Sequence, residues 1–218
     1  MNSGDLQKLV SSLPGYPLLL GRENYTDAAV MVPLIHLDGE YHFVFQKRSA
    51  TIVQGSEVCF PGGVYDPHHD RSLRDTALRE MHEELGVDPD SIMLYGYLGL
   101  ALAVRGVAVD CFLARLTIDS IDGLVIDADE VERVFTIPVS WFRRHEPEKY
   151  FIRVTLHPDE TPDGESGKII FPARELGLPE RYWGRWDGGQ RPVLYYNTGE
   201  EKIWGLTAQI VFSMIAMM

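Results

Sequence analysis

The segment from Leu73 to Leu85 is predicted to form a helix, and it constrains the fold more than any other part of the chain. Ser72 stands where an N-cap is expected, and Asp75 three residues later completes a capping box. Gly86 suits a left-handed residue at the C-terminal end, and neither Gly nor Pro interrupts the segment. Helical periodicity places an apolar stripe on one side, which is expected to pack on a core: Ala77, Leu78, Met81 and Leu85.

Three carboxylates, Glu80, Glu83 and Glu84, fall on another face of the predicted helix, within an arc of roughly 100°. Like charges at this spacing repel, and a hard divalent cation that takes oxygen ligands would offset the repulsion. A solvated acidic face is the alternative interpretation. The Gly62-Gly63 pair precedes the helix, and adjacent glycines allow the backbone to approach a ligand closely. The combination suits an enzyme that holds a divalent metal against a diphosphate.

The stretch from Gly63 to Val87 resembles the signature box of the Nudix hydrolases, which reads G-x5-E-x7-R-E-U-x-E-E-x-G-U, with U an aliphatic residue. The second half matches at every specified position: Arg79, Glu80, Met81, Glu83, Glu84, Gly86 and Val87. The spacing from Gly63 to Arg79 is two residues longer than usual, and Asp70 or Asp66 could replace the acid that normally braces the arginine. The resemblance implies an α/β fold of the Nudix type, an α/β/α sandwich with a mixed β-sheet.

Segments outside the box resemble one branch of that family, the coenzyme A diphosphatases: Lys47-Arg48-Ser49, Glu57-Val58-Cys59-Phe60-Pro61-Gly62-Gly63, Glu130-Val131-Glu132-Arg133-Val134-Phe135 and Ile203-Trp204-Gly205-Leu206-Thr207-Ala208. The resemblance implies metal-dependent hydrolysis of coenzyme A or acyl-CoA to 3′,5′-ADP and (acyl-)phosphopantetheine. Two alternatives stay open. One is hydrolysis of another nucleotide, such as ADP-ribose, a dinucleotide or a nucleoside triphosphate. The other is a sensor that binds a nucleotide without cleaving it.

The resemblance also implies a metal site for Mg²⁺ or Mn²⁺. Glu80 and Glu84, one helical turn apart, are the expected ligands, and Glu83 is either a third ligand or the general base. The Gly63 carbonyl is a further expected ligand. Arg79 is expected to orient a glutamate rather than to touch the substrate.

The general base and the substrate contacts each have more than one candidate residue. Glu130, on a later loop, is the alternative to Glu83 as the base, and Glu132 is a weaker candidate. Arg48, together with the Gly62 and Gly63 backbone, is expected to contact the phosphates of the substrate. Three tryptophans could stack on an adenine, although packing is the commoner use of this residue: Trp183, Trp186 and Trp204.

Composition limits the classes of partner. The 218 residues carry a formal net charge of −12, which argues against nucleic acid and anionic membranes as partners. The expected partner is a small-molecule nucleotide, and a homodimer is plausible. We expect a single domain over residues 1–218, with an N-terminal extension at about 1–25 and a C-terminal helix at about 203–217. No signal-like run stands at the start and residues 203–218 are short for a membrane span, so a cytoplasmic location is the expectation.

The order of the remaining elements predicts a mixed sheet flanked by helices. Two hairpins are expected, one around Asp38-Gly39 and one around Arg105-Gly106. Another hairpin is expected between residues 150–157 and 168–171, around a loop at 158–167. The other predicted elements are helices at 4–13 and 139–145, strands at 131–137 and 193–197, and an irregular cover at 172–192.

Overall fold

The computed structural model describes residues 2–14, 18–160 and 168–218. Within these ranges short 3-10 turns occur at Arg22–Asn24, Pro89–Ser91 and Glu180–Tyr182. The helices and strands, in chain order, are α1 Ser3–Ser11, β1 Thr26–Leu37, β2 Glu40–Arg48, β3 Val58–Cys59, β4 Gly62–Val64, α2 Leu73–Leu85, β5 Ile92–Ala103, β6 Val107–Leu116, β7 Val131–Pro138, α3 Val139–Arg144, β8 Glu148–Leu156, β9 Trp186–Asn197, β10 Lys202–Trp204 and α4 Gly205–Ile215.

A seven-stranded mixed sheet forms the centre of the fold. Its main path runs β3-β2-β1-β6-β5, while β4 pairs with β1 and β7 pairs with β2. Only the pairing of β1 with β6 is parallel among these described strands. Parallel neighbours need a long crossover, and the chain between β1 and β6 includes α2. The predicted mixed sheet is confirmed.

The two tight hairpins of the sequence prediction are confirmed. Asp38 and Gly39, between β1 and β2, both have positive φ angles, 50° and 87°. A two-residue turn of this hand matches the twist of the flanking strands, and Gly39 adopts such an angle without steric cost. Gly106, with φ of 77°, makes the corresponding turn between β5 and β6.

Packing on both faces of the sheet confirms the predicted α/β/α sandwich. On one face the apolar stripe of α2 is buried, with Met81 and Leu85 packed against Met31 and Val44. On the other face, buried residues of β1, β2, α3 and α4 form a second core. Aromatic rings fill its centre, and Phe45 stacks on Phe60 at 4.8 Å between ring centroids.

A separate three-stranded sheet, in the order β10-β9-β8, corrects the predicted hairpin near residue 160. The partner of β8 is β9 and not residues 168–171, which are linked to this region by one isolated bridge from Asp159 to Ile169. The irregular cover predicted at 172–192 is wrong over 186–192, because β9 starts at Trp186. The sequence did not predict this part of the strand because it contains Gly188, Gly189 and Pro192, and glycine and proline normally interrupt strands. Residues 161–167 of the predicted loop lie outside the described residues.

The C-terminal element is shorter than predicted. Residues 202–204 form β10, and the helix begins at Gly205 and ends at Ile215. Trp204 has an extended backbone and Gly205 has a φ of 62°, so the chain turns from strand to helix between them. The N-terminal helix, predicted over 4–13, is observed over Ser3–Ser11. Among the described residues, no helix has the length and apolar character needed to cross a membrane.

Candidate functional site

The predicted helix around the three glutamates is observed with its predicted ends. The Ser72 side chain accepts a hydrogen bond from the Asp75 amide at 3.3 Å. At the other end Gly86 has a φ of 64°, and its amide donates to the His82 carbonyl at 2.9 Å. These caps set where α2 begins and ends, and the packing of its apolar stripe on the core turns Glu80 and Glu84 toward β4.

Glu84 is the most buried of the three glutamates, with a side chain only 3% exposed. The Gly62 amide donates to its Oε2 at 2.9 Å, and Nη1 of Arg48 lies 3.8 Å from its Oε1. Burial raises the pKa of this carboxyl to about 7, because the charged form loses its water. The Gly62 amide opposes that shift without cancelling it.

Arg79 holds the other two glutamates in place. Its Nη1 donates to Glu80 and to Glu83, at 2.8 Å in each case. Its Nε and Nη2 donate to the two oxygens of Asp70, both at 2.9 Å. The guanidinium holds the pKa of the Asp70 carboxyl well below its usual range. The predicted orienting contact of Arg79 is therefore present in the geometry.

The sequence left Asp70 and Asp66 open as the acid that braces Arg79, and the structure selects Asp70. The Asp70 side chain is buried and also accepts from the Thr76 hydroxyl at 2.9 Å. Asp66 instead belongs to the turn before it: its carbonyl accepts from the Asp70 amide at 2.7 Å, and its side chain bonds His69 at 2.8 Å. This turn absorbs the extra length between the glycine loop and the helix.

The backbone at Gly62 and Gly63 approaches its neighbours too closely for any side chain. A Cβ atom on Gly63 would lie 2.3 Å from Oε1 of Glu80, and one on Gly62 would lie 2.3 Å from the Ala29 carbonyl oxygen. Space therefore requires glycine at Gly62, where the neighbour is backbone, whereas a side chain at Gly63 would displace the Glu80 carboxylate. The close approach places the β4 backbone directly against the glutamate face of α2.

Glu130 lies on a loop that is fastened to this face. Its carbonyl accepts from the Ser49 amide at 2.8 Å, and the Asp127 amide donates to the carbonyl of Glu84 at 3.1 Å. The Glu130 charge adds to the effects that raise the pKa of Glu80, among which burial is the largest. Glu132 points elsewhere, toward Nζ of Lys47 at 3.3 Å.

Gln46 is a residue near the site that sequence reasoning missed. It is fully buried, and its Nε2 donates to Cys59 Sγ at 3.5 Å. Burial raises the pKa of the Cys59 thiol to about 11, so this thiol stays protonated at neutral pH and is a poor nucleophile. The sequence offered no clear signal, because Gln46 shares its face of β2 with His42 and Arg48, so a polar residue there is not unusual.

Two buried polar atoms beside Glu84 have no hydrogen-bond partner in the described part of the chain. They are Nε of Arg48 and Oε1 of Gln46. Buried groups of this kind are normally paired, so their position beside a buried carboxylate is typical of a site that receives a ligand. Arg48, the predicted phosphate contact, thus lies next to Glu84 at the end of β2.

The donor set suits a hard divalent cation. All three candidate side chains are carboxylates, and the Gly63 backbone lies against Glu80 where a Cβ would fill the space. In residues 2–14, 18–160 and 168–218, no three His, Cys, Asp or Glu side chains converge on one point that could hold an ion. The reason is that Arg79 draws Glu80 and Glu83 to itself. An ion bound here would compete with that guanidinium for the carboxylates.

Comparison with known families matches residues 25–187 to the NUDIX domain. The chain belongs to this family. The matched range includes β4, α2 and the Glu130 loop, and hence every residue of the site described above.

Several curated relatives are similar to this Nudix chain. It is 34% identical to Nudix hydrolase 3 of Caenorhabditis elegans over 138 residues, 61% of this chain and 57% of the relative. It is 33% identical to the mouse peroxisomal coenzyme A diphosphatase NUDT7 over 132 residues, 56% of this chain and 50% of the relative. It is 30% identical to the human mitochondrial coenzyme A diphosphatase NUDT8 over 180 residues, 77% and 76% of the two chains. The chain thus spans only about half the length of the first two relatives.

Replacing Asp70 by Asn is expected to destabilise the fold by about 2–3 kcal/mol, because Arg79 loses its charged, buried partner. Urea unfolding at neutral pH measures the change. Asp66→Asn is the matched control, and its effect should be clearly smaller, because the Asp66 side chain is partly exposed and its partners, His68 and His69, are surface residues. Equal losses in the two variants would contradict the assignment of Asp70 as the brace.

Replacing Glu84 by Gln is expected to change how stability depends on pH. The pKa of Glu84 rises from an ordinary 4.5 to about 7 on folding. Between pH 4.5 and 7 the Glu84 carboxyl is ionised in the unfolded chain and protonated in the folded chain. The free energy of unfolding therefore falls as pH rises through this range. The total loss is about 3 kcal/mol above pH 7.

Thermal unfolding in EDTA at about pH 5 and about pH 8 tests this linkage. Glu84→Gln should gain stability relative to the parent as pH rises, whereas the exposed control Glu175→Gln should follow the parent. A constant difference between Glu84→Gln and the parent at both pH values would show that Glu84 titrates normally.

Proposed function

We propose that this chain is a metal-dependent Nudix diphosphatase that hydrolyses coenzyme A or acyl-CoA to 3′,5′-ADP and (acyl-)phosphopantetheine. The observation that carries the proposal is that Glu80 and Glu84 lie against the glycine backbone of β4, with Glu83 joined to Glu80 through Arg79. Membership of the NUDIX domain family supports the reaction class. The names of two relatives, both coenzyme A diphosphatases, support the choice of substrate.

Glu80, Glu84, Glu83 and the Gly63 carbonyl would hold Mg²⁺ or Mn²⁺, and the ion would supply charge neutralisation and a more acidic water. Arg79 positions Glu80 and Glu83 from one side through its Nη1. The buried Glu84 is kept in register by the Gly62 amide. Glu84 is thus fixed before any ligand arrives, whereas Glu80 and Glu83 would have to give up contacts with Arg79 to bind the ion.

Arg48 is proposed to bind the diphosphate. Its guanidinium lies at the edge of the glutamate cluster, and its buried Nε has no partner among the described residues. A phosphate oxygen would satisfy that donor. The Gly62 and Gly63 backbone is proposed as a second phosphate contact beside Arg48, although the space next to the two α-carbons is filled by Ala29 and Glu80.

The proposed base is Glu130, with Glu83 as the alternative. Glu130 is exposed, and it lies close enough to Glu80 for its charge to act on that carboxyl. Glu83 already accepts a hydrogen bond from Arg79 at 2.8 Å, so it would have to release that contact to take a proton from water. Glu132 forms an ion pair with Lys47, and it stays the weaker candidate for the base.

The domain organisation, the partner and the cellular location of the chain are also proposals. Residues 1–218 are proposed to form one domain, because Leu194 and Tyr196 of the second sheet pack in the same core as Phe43 and Phe45 of the first. The proposed partner is a small nucleotide, and a homodimer stays a prediction. A cytoplasmic location also stays a prediction that cell fractionation would test, since the names of the mouse and human relatives place those proteins in peroxisomes and mitochondria.

Product analysis with coenzyme A, ADP-ribose, diadenosine polyphosphates and nucleoside triphosphates, each with Mg²⁺ and with EDTA, tests the proposed reaction. We expect metal-dependent release of 3′,5′-ADP and phosphopantetheine. Glu84→Gln should reduce kcat at least about 10²-fold because it removes a charged ligand, whereas Glu175→Gln should retain full activity.

Cleavage of another nucleotide in the panel would support the same mechanism but assign a different substrate. Binding of a nucleotide without cleavage by the parent protein would favour a sensor. Full activity of Glu84→Gln would overturn the assigned metal site.

The base is identified by comparing Glu83→Gln, Glu130→Gln and Glu132→Gln with the parent enzyme. Loss of a general base lowers kcat by about 10²–10⁴-fold and removes the acidic limb of the pH–rate profile, with little change in KM. We expect this pattern for Glu130→Gln alone. The same pattern in Glu83→Gln, with an active Glu130→Gln, would assign the base to the helix.

A further inference from the structure

The second sheet presents one face to the core and a different, aromatic face to solvent. Leu194, Tyr196 and Ile203 alternate into the core. Their neighbours along the strands point the opposite way, and the strand register brings Tyr195 opposite Trp204. The register of β8 with β9 adds Tyr150, opposite Val193, to this outer face. The result is an aromatic wall, which we define as Tyr150, Tyr195 and Trp204.

The aromatic wall lines a cavity of about 580 Å³. The lining also includes Lys47, Ser56 and Glu57, from the end of β2 and the loop after it, and Glu200, Glu201 and Lys202. This volume is in the range of cavities that hold small ligands. Trp204 and Tyr150 are 46% and 54% exposed, so their ring surface is available in the cavity.

The cavity and the glutamate site share one backbone segment. The Arg48 amide donates to the Glu57 carbonyl at 2.9 Å, and the Ser56 amide donates to the Arg48 carbonyl at 3.0 Å. Arg48 also lies 3.8 Å from Glu84. Residues of the cavity wall are therefore direct backbone neighbours of the proposed phosphate contact. Lys47 faces the cavity, whereas the next residue, Arg48, faces Glu84.

The chemistry of the lining selects the kind of group that fits. Aromatic faces stack on nucleobases, and carboxylates accept hydrogen bonds from exocyclic amino groups. Glu201 is already engaged by Arg133 and by Lys47, whose Nζ lies 3.5 Å away. Glu57 and Glu200 remain as acceptors on the lining, and Lys202 adds a cation beside Trp204 that suits a phosphate on the ribose.

We propose that this cavity binds the nucleobase of the substrate and selects a base that carries an amino group. The inference rests on the proposed function, because it assigns the substrate's base to a place next to the phosphate site. Trp204 and Tyr150 supply the stacking surface. Glu57 and Glu200 discriminate against a base that presents a carbonyl oxygen in place of the amino group, since two acceptors repel each other.

Calorimetric titration of the full chain with ADP and with IDP, in EDTA, tests the proposal without any turnover. The two probes differ chiefly in the amino group of the base. We expect ADP to bind about tenfold more tightly than IDP. Trp204→Leu and Tyr150→Leu should each weaken ADP binding about tenfold, and Trp204→Phe should restore most of it.

Trp183→Leu is the matched control, because Trp183 is similarly exposed, at 44%, but lies outside the cavity lining. It should bind ADP like the parent. Thermal unfolding of each variant confirms that it is folded. Equal binding of ADP and IDP by the parent, or unchanged ADP binding in both Trp204→Leu and Tyr150→Leu, would overturn the proposal.

Hydrolysis assays on the same preparations separate this inference from the proposed function. Coenzyme A turnover with a KM raised in Trp204→Leu and an unchanged kcat supports both. Turnover with the same KM in Trp204→Leu and the parent overturns the base site and leaves the enzyme assignment intact. No turnover by the parent, with ADP binding that depends on Trp204, refutes the enzyme assignment and still supports the base site.

Discussion

The contact between the Gly62-Gly63 backbone and the glutamate face of α2 determines how the rest of the structure is arranged. With no Cβ atoms between them, β4 and α2 approach until Glu84 accepts from the Gly62 amide and Glu80 lies against Gly63. β4 is also paired to β1 at the centre of the main sheet. The carboxylates are therefore tied to the central sheet through β4 and not to a loop.

Charge balance explains why this cluster can exist before a ligand binds. Asp70, Glu80 and Glu83 share the single guanidinium of Arg79, and repulsion among them is offset there. Glu84 has no such partner within hydrogen-bonding distance, and its pKa rises to about 7 as a result of burial. Glu84 is thus only partly ionised at neutral pH, and a bound cation would stabilise its charged form.

The second sheet lies outside the box and lines a cavity next to the end of β2. Its inner face completes the core around Phe43 and Phe142. Its outer face forms the aromatic wall of the cavity beside β2. Glu201 joins the two sheets, since it lies on the loop before β10 and pairs with Arg133 of β7 and Lys47 of β2. The geometry of the cavity therefore depends on the packing of one sheet on the other.

The sequence by itself determined the local elements and the chemistry of the box. The caps of α2, the turns at Asp38-Gly39 and Gly106, and the helical spacing of the glutamates are set by neighbouring residues, so local rules predicted them. Tertiary structure alone decided which acid braces Arg79, that Gln46 and Arg48 lie beside Glu84, and that β8 pairs with β9. These contacts join residues far apart in the chain or in loops of unusual length. Their partners are fixed by packing and strand register, which no local pattern encodes.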